Sequence, residues 1–419
     1  MPKDLRLCQV RLEDEKASSK VLLSVVNRCP DILTSYTVKW DIDGKINGTK
    51  TIETSLASSM AETLSIDIPS EITGYYHTLT LDVVSVNGVD DEIPANSHIV
   101  YEYKTSGKQY PRTMVLEDFI DTTCGWSPRG YETAKNLYEK YPDNFVSIAV
   151  SVIDWDELEE PINYNEYVKT YTTTPTFLIN RVKTINSVLK DATAALEEQK
   201  DHADAMINAN AIFTTADCTS VTVKTATTFG FSEDGNADFR IAYVVIEDNV
   251  GPIMQYNFYS DPTNPDDPND YMNEWYKKGS PVEMRLNDVA RGIYPDLNGT
   301  EGSVPTSVVA GQPYEYEYTF DLPDNIQDKK NIRIVTLLID NKSGEIMNAD
   351  QTRVIVETDK DGDANNDNEV DDKDIEAVVR YIMNGDIKGF NFKNADVNGD
   401  NKINAADIVE VMNIIKTNK

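Results

Sequence analysis

Asp363-Ala-Asn365-Asn-Asp367-Asn-Glu369-Val-Asp371-Asp-Lys-Asp374 recurs 33 residues later as Asp396-Val-Asn398-Gly-Asp400-Asn-Lys402-Ile-Asn404-Ala-Ala-Asp407. Oxygen-bearing side chains stand at positions 1, 3, 5, 9 and 12 of each stretch, with Glu369 and Lys402 at position 7. That spacing lets a loop wrap one hard cation, position 7 giving its backbone carbonyl. The pattern therefore predicts two Ca²⁺ ions. One is assigned to Asp363, Asn365, Asp367, Glu369, Asp371 and Asp374, the other to Asp396, Asn398, Asp400, Lys402, Asn404 and Asp407. Position 6 is expected to turn left-handed, and Asn368 and Asn401 replace the usual Gly there because Asn tolerates that conformation. Val370 and Ile403, at position 8, are expected to pair the loops or face a core. Ile375, Val378, Val379 and Ile382, then Ile408, Val409, Met412 and Ile415, mark an amphipathic helix after each loop. The plainer alternative, two Asx-rich turns with no ion, would need two twelve-residue matches in register by chance.

Position 12 is Asp rather than Glu, and no entering helix is expected before either loop. Those departures from the helix-loop-helix EF-hand, with the duplication, make residues 361–419 resemble a type I dockerin. The resemblance implies docking to a cohesin on a scaffold protein, in a cellulosome-like assembly of the kind associated with polysaccharide degradation. It places the partner-reading pairs at Asp372-Lys373 and Ala405-Ala406, one charged and one small and apolar, so the two halves need not bind equivalently. The loop carboxylates would repel one another without metal, so folding here is expected to depend on calcium.

Upstream of this module the periodicity changes twice. Residues 207–358 alternate apolar and polar side chains, as in Tyr314-Glu-Tyr-Glu-Tyr-Thr-Phe320, and predict an antiparallel β-sandwich. Its Pro/Asp-rich insert, Asp261 to Asp270, reads as a solvated loop, with a cation site as the lesser alternative. Residues 112–206 alternate strand and helix, predicting a small α/β domain: strand Met114–Phe119, helix Tyr131–Tyr141, strand Phe145–Val152, strand Thr176–Ile179 and helix 186–204. Residues 1–107 carry short β-branched runs at even spacing and predict an immunoglobulin-like β-sandwich, with a polar linker before Pro111. The overall expectation is a multi-domain α+β chain of four modules.

Asp121-Thr-Thr-Cys124-Gly-Trp-Ser127-Pro128 follows a strand and opens a helix, and Thr174-Pro175 opens a later strand. This resembles thioredoxin-like domains, in which a C-x-x-C pair starts the helix and a cis-proline, here Pro175, faces it. Ser127 stands where the second cysteine would be and cannot resolve a mixed disulfide. The helix-start amides and the carboxylates of Glu117, Asp118 and Asp121 act on the charge of Cys124 in opposite senses. Two readings follow: a scaffold that has lost its chemistry or binds a partner, which is favoured, and a monothiol disulfide oxidoreductase or isomerase acting through Cys124. Residues 112–357 also resemble the outer-membrane-protein-28-related family of surface and secreted proteins, which implies an extracellular or cell-surface location.

Composition sets the remaining bounds. The chain of 419 residues has 39 Lys and Arg against 71 Asp and Glu, a net charge of −32 that repels phosphate backbones, so nucleic acid is not an expected partner. No run is apolar and long enough to span a membrane, and the first residues carry no signal-like stretch. The 4 Cys form no C-x-x-C, and Cys8 and Cys29 are read either as a bridge or as two thiols. The 3 His, His77, His98 and His202, fit no catalytic motif, so no enzyme is expected other than the thiol alternative. A glycan or protein ligand of the sandwiches, making the chain a glycan-binding accessory protein, is the weakest reading.

Overall fold

The computed structural model describes residues 4–417 except 14–19, 69–73, 153–157, 201, 215–217, 265–269, 357–359, 368, 386–388 and 401. The chain divides into two compact units. The first takes residues 1–109 together with 229–237 and 306–312, and the second takes the rest.

In the first unit, strands Leu5–Leu12, Lys20–Asn27 and Ala61–Asp67 form one antiparallel sheet. Ile46–Leu56, Leu33–Ile42, Tyr76–Val86, Val89–Asp90 and His98–Lys104 form another. Alternate residues point into one core that holds Leu5, Val21, Leu23, Val25, Tyr36, Val38, Leu79, Leu81 and Val83. Ile46–Leu56 carries little sequence signal because it is an edge strand, exposed on one face and mostly half-buried on the other. Cys29 is a buried thiol whose Sγ lies 3.3 Å from the Asp4 carbonyl oxygen, and Cys8 is an exposed thiol. His77 is buried, its Nδ1 2.7 Å from Asp43 Oδ2.

The second unit is built on one eleven-stranded sheet. Its order is Lys183–Asn186, Thr176–Ile179, Met114–Ile120, Phe145–Ser151, Val289–Tyr294, Phe239–Glu247, Ile332–Asp340, Glu345–Val356, Ala205–Phe213, Ser220–Phe229 and Pro313–Asp321. Segments 112–206 and 207–358 thus share a sheet instead of standing as separate layers. Met114–Ile120 and Phe145–Ser151 are buried at every position and pair in parallel. Phe145–Ser151 has a second edge to satisfy, and meets Val289–Tyr294 there, with Ala149 opposite Val289. Val115, Phe119, Ile148 and Val150 pack in the same cluster as Val244, Ile293, Val335 and Leu337. Ring stacking of Tyr243 on Tyr318, 5.4 Å between centroids, brings the far arm of the sheet back over its middle.

Two elements differ from expectation. The helix expected over 186–204 runs only from Leu189 to Gln199: Lys183–Asn186 is a strand paired with Thr176–Ile179, and at the other end Ala203 bridges to Tyr110. Residues 180–182 join the two strands, with Asn180 and Arg181, at φ 47° and 59°, at the centre of a turn closed by the Val182 amide on the Ile179 carbonyl. A one-turn helix, Phe392–Ala395, does precede the second acidic loop. No helix among the described residues is long and apolar enough to cross a membrane.

Candidate functional site

The two acidic loops fold by the same hydrogen bonds. In the first, the Asp367 amide donates to Asp363 Oδ1 at 3.0 Å and to Asn365 Oδ1 at 2.9 Å, and the Glu369 amide donates to Asp367 Oδ1 at 3.0 Å. In the second, the Asp400 amide donates to Asp396 Oδ1 at 3.0 Å and Asn398 Oδ1 at 2.9 Å, and the Lys402 amide to Asp400 Oδ1 at 2.9 Å. Position 12 ties both arms: Asp374 accepts from the amides of Asn365 (3.0 Å) and Asp371 (2.8 Å), Asp407 from those of Asn398 (3.5 Å) and Asn404 (2.9 Å). Position 9 caps the helix that follows, Asp371 accepting from Lys373 N and Asn404 from Ala406 N, each at 2.8 Å. The short Asp at position 12 is what lets one carboxylate reach both amides.

The left-handed residues seen in the loops are at position 4, Asn366 (φ 60°) and Gly399 (φ 71°). Asn368 and Asn401, expected to take that conformation, lie outside the described residues.

Asp363, Asp374 and Asp407 are fully buried. Burial raises the pKa of Asp374 above the usual carboxylate value, and the charges of Asp363 and Asp367 raise it further. Asp, Asn and backbone oxygens are the donor types that a hard cation takes, so the residue types fit calcium. As they stand here, no group of three or more His, Cys, Asp or Glu among the described residues is arranged to hold a metal ion.

Helices Asp372–Asn384 and Ala405–Thr417 bury only part of the apolar stripes expected of them. Val378, Val411 and Ile415 are buried, whereas Val379, Ile382, Met383, Val409 and Met412 are exposed. Ile403 packs on the small core of Ala364, Ala377, Val378 and Ala395. Asp372, Lys373, Ala405 and Ala406 are all exposed in the first helical turns.

The second candidate lies at the start of helix Pro128–Lys140. Cys124 Sγ is 3.2 Å from the Thr174 carbonyl oxygen, and the Thr174–Pro175 bond is cis. Ser127 is fully buried, its hydroxyl donating to the Asp121 carbonyl at 2.8 Å, so it is a structural tie in the turn. The acidic neighbours are largely spoken for. Glu117 is buried against Arg181 at 3.1 Å and accepts from Tyr164. Asp118 is buried, and desolvation raises its pKa well above the usual value, which favours its neutral form. A Cβ on Gly130 would sit 2.3 Å from Asp118 Oδ2, which is why the helix keeps a glycine there.

Sequence reasoning missed the segment that covers this turn. Gln255 is fully buried, donates to the Cys124 carbonyl at 2.9 Å and accepts from Tyr131 Oη at 2.7 Å. The Phe258 amide donates to the Gly125 carbonyl at 2.9 Å, and the Phe258 and Tyr259 rings meet exposed Trp126 edge-on. No motif marks residues 255–259, which follow an ordinary short strand. The Asp261–Asp270 insert is described only in part: Thr263 donates to Asp261, and residues 265–269 lie outside the described ones.

Residues 163–358 match the family model of outer membrane protein Omp28, and residues 361–416 match that of the dockerin type I domain. The chain thus carries an Omp28-related segment followed by a C-terminal type I dockerin domain. The dockerin implies a cohesin partner and calcium, and the two matches together imply a cell-surface or extracellular location. No curated protein matches the chain. Among solved structures, HBP35 of Porphyromonas gingivalis is 13% identical with a TM-score of 0.40, over 59% of this chain and 77% of that one. A domain of the outer membrane lipoprotein Omp28 from the same organism is 15% identical with a TM-score of 0.21, over 37% of this chain and 92% of that one.

Proposed function

We propose that this Omp28-related dockerin protein is held outside the cell in a multiprotein assembly, by two calcium-loaded loops that present a helical face to a cohesin. Asp363, Asn365, Asp367, Asp371 and Asp374, with the Glu369 carbonyl, would hold one ion. Asp396, Asn398, Asp400, Asn404 and Asp407, with the Lys402 carbonyl, would hold the other. Bound calcium supplies the positive charge that these carboxylates lack. The loop amides orient the acids, and positions 9 and 12 join each loop to its helix, so loop order and helix order rise together. Asp372-Lys373 and Ala405-Ala406, beside exposed Val379, Ile382, Val409 and Met412, form the surface offered to the partner. The observation that carries this reading is the hydrogen-bond pattern repeated residue for residue across the duplication. A pull-down against a panel of cohesins, with calcium and with chelator, tests it: capture that requires calcium is expected, and capture indifferent to chelator overturns it.

The Cys124 turn is read as a thioredoxin-like scaffold without dithiol exchange, since Ser127 is locked in the turn and cannot resolve a mixed disulfide. The contact of Cys124 Sγ with the residue before cis-Pro175 favours one second reading, a monothiol that forms mixed disulfides with a client. Trapping with a disulfide-bearing substrate separates the two. No adduct beyond that of Cys124→Ala is expected, and a Cys124-dependent adduct would establish the monothiol.

A further inference from the structure

The loops are alike in backbone and unlike in charge. At position 11 of the first, Lys373 places Nζ 3.7 Å from Asp367 Oδ2 and 3.5 Å from Asp371 Oδ2, at positions 5 and 9. In the second, position 11 is Ala406 and position 9 is Asn404. At side-chain ligand positions 1, 3, 5, 9 and 12 the first loop thus carries one more carboxylate than the second, and an ammonium sits on it. The backbone pattern does not require this, since Ala406 donates its amide to Asn404 as Lys373 does to Asp371. The acid and the base occur together, in one half of the duplication, with both contacts on the groups that would bind metal.

Resting on the calcium reading of the loops, we propose that Lys373 is a tethered competitor for the cation of the first loop. Its ammonium must leave Asp367 and Asp371 for calcium to take those oxygens. The first site is therefore weaker, and less steeply salt-dependent, than its four carboxylates alone would make it. The same exchange couples metal to partner: with calcium in place, Lys373 is released into the exposed helix start beside Asp372, where it can meet an acidic group on a docked protein. The second loop has no such device.

The lysine side chain is 66% exposed, so the competition has the size of a surface ion pair. Such pairs correspond to about a two- to fivefold change in an equilibrium constant. Calcium titration of the full chain against a chromophoric chelator at low ionic strength resolves the two binding constants. Lys373→Ala is expected to tighten one constant about two- to fivefold and leave the other unchanged, the difference fading at high salt. Arg380→Ala removes the same charge one turn or more away, where the arginine pairs with Glu376, and is expected to change neither constant. The double change Asn404→Asp with Ala406→Lys is expected to leave the second constant nearer its parent value than Asn404→Asp alone. Identical constants for the parent and Lys373→Ala, or an equal shift from Arg380→Ala, would overturn the proposal. A parent chain that binds no calcium would instead overturn the reading on which it rests.

Discussion

The acidic loops and the Cys124 turn are two ways of building a site. Each loop is shaped mainly from within its twelve residues by its own amide-to-carboxylate bonds, with Asn391 also donating to Asn366 and to the Ala364 carbonyl in the first. The Cys124 turn is assembled from places far apart in sequence, with Thr174-Pro175 against the sulfur, Gln255 on its carbonyl and Phe258 over Gly125. A local site survives duplication intact and depends on what it binds. A distributed site depends on the body that holds it, and can lose its chemistry while keeping its shape.

The largest expected effect tests the local side. Chelating calcium should abolish hydrogen-exchange protection in helices Asp372–Asn384 and Ala405–Thr417 and leave the sheet of the second unit protected, because the loops' order is coupled to the ion. Loss of protection in both places would break the contrast. Asp374→Ala should remove the protection of the first helix even with calcium present.

On the distributed side, Glu117→Ala leaves Arg181 buried without its partner and should cost about 3–5 kcal/mol in the unfolding of the second unit, read by denaturant melts. The same change should leave calcium binding untouched. Gly130→Ala sets two rules against each other. Helix propensity favours Ala by roughly 1 kcal/mol, whereas the new Cβ would press on Asp118 Oδ2. The clash falls on a fully buried group, so a net loss of about 1–3 kcal/mol is expected. A gain would mean that the turn is looser than its packing.

The smallest effect is one of slope. Asp118 has a raised pKa in the folded protein, so above the ordinary carboxylate pKa the unfolded chain releases a proton that the folded chain keeps. Its contribution to stability therefore falls as pH rises from about 4 toward neutral. Asp118→Asn should flatten that decline, matching the parent near pH 4 and gaining on it toward pH 7. Parallel stability curves for the two proteins would show that Asp118 is not held protonated.

How much was legible follows from where the information lies. Val21–Val26, Met114–Phe119 and Phe145–Val152 announce their strands because apolar and β-branched side chains recur at strand spacing. The polar edge strand Ile46–Leu56 does not, and Lys183–Asn186 goes unread, its last residue taken for the start of a helix, because four residues beyond a turn carry no period of their own. The boundary drawn at residue 206 missed the ladder between Phe145–Ser151 and Val289–Tyr294. A strand buried on both faces looks the same whatever strand lies beside it.

By itself the sequence determined the duplicated loops, the position of each oxygen donor, and the inability of Ser127 to act as a second thiol, since these depend on residue identity and short spacing. Only the tertiary structure decided that the α/β segment and the following strands share one sheet and one core, that Asp118 is buried where its neutral form is favoured, that the expected helix stripes leave Val379, Ile382, Val409 and Met412 outside, and that Lys373 rests on two loop carboxylates. The physical reason is the same each time: burial and charge pairing are set by neighbours that arrive from elsewhere in the chain.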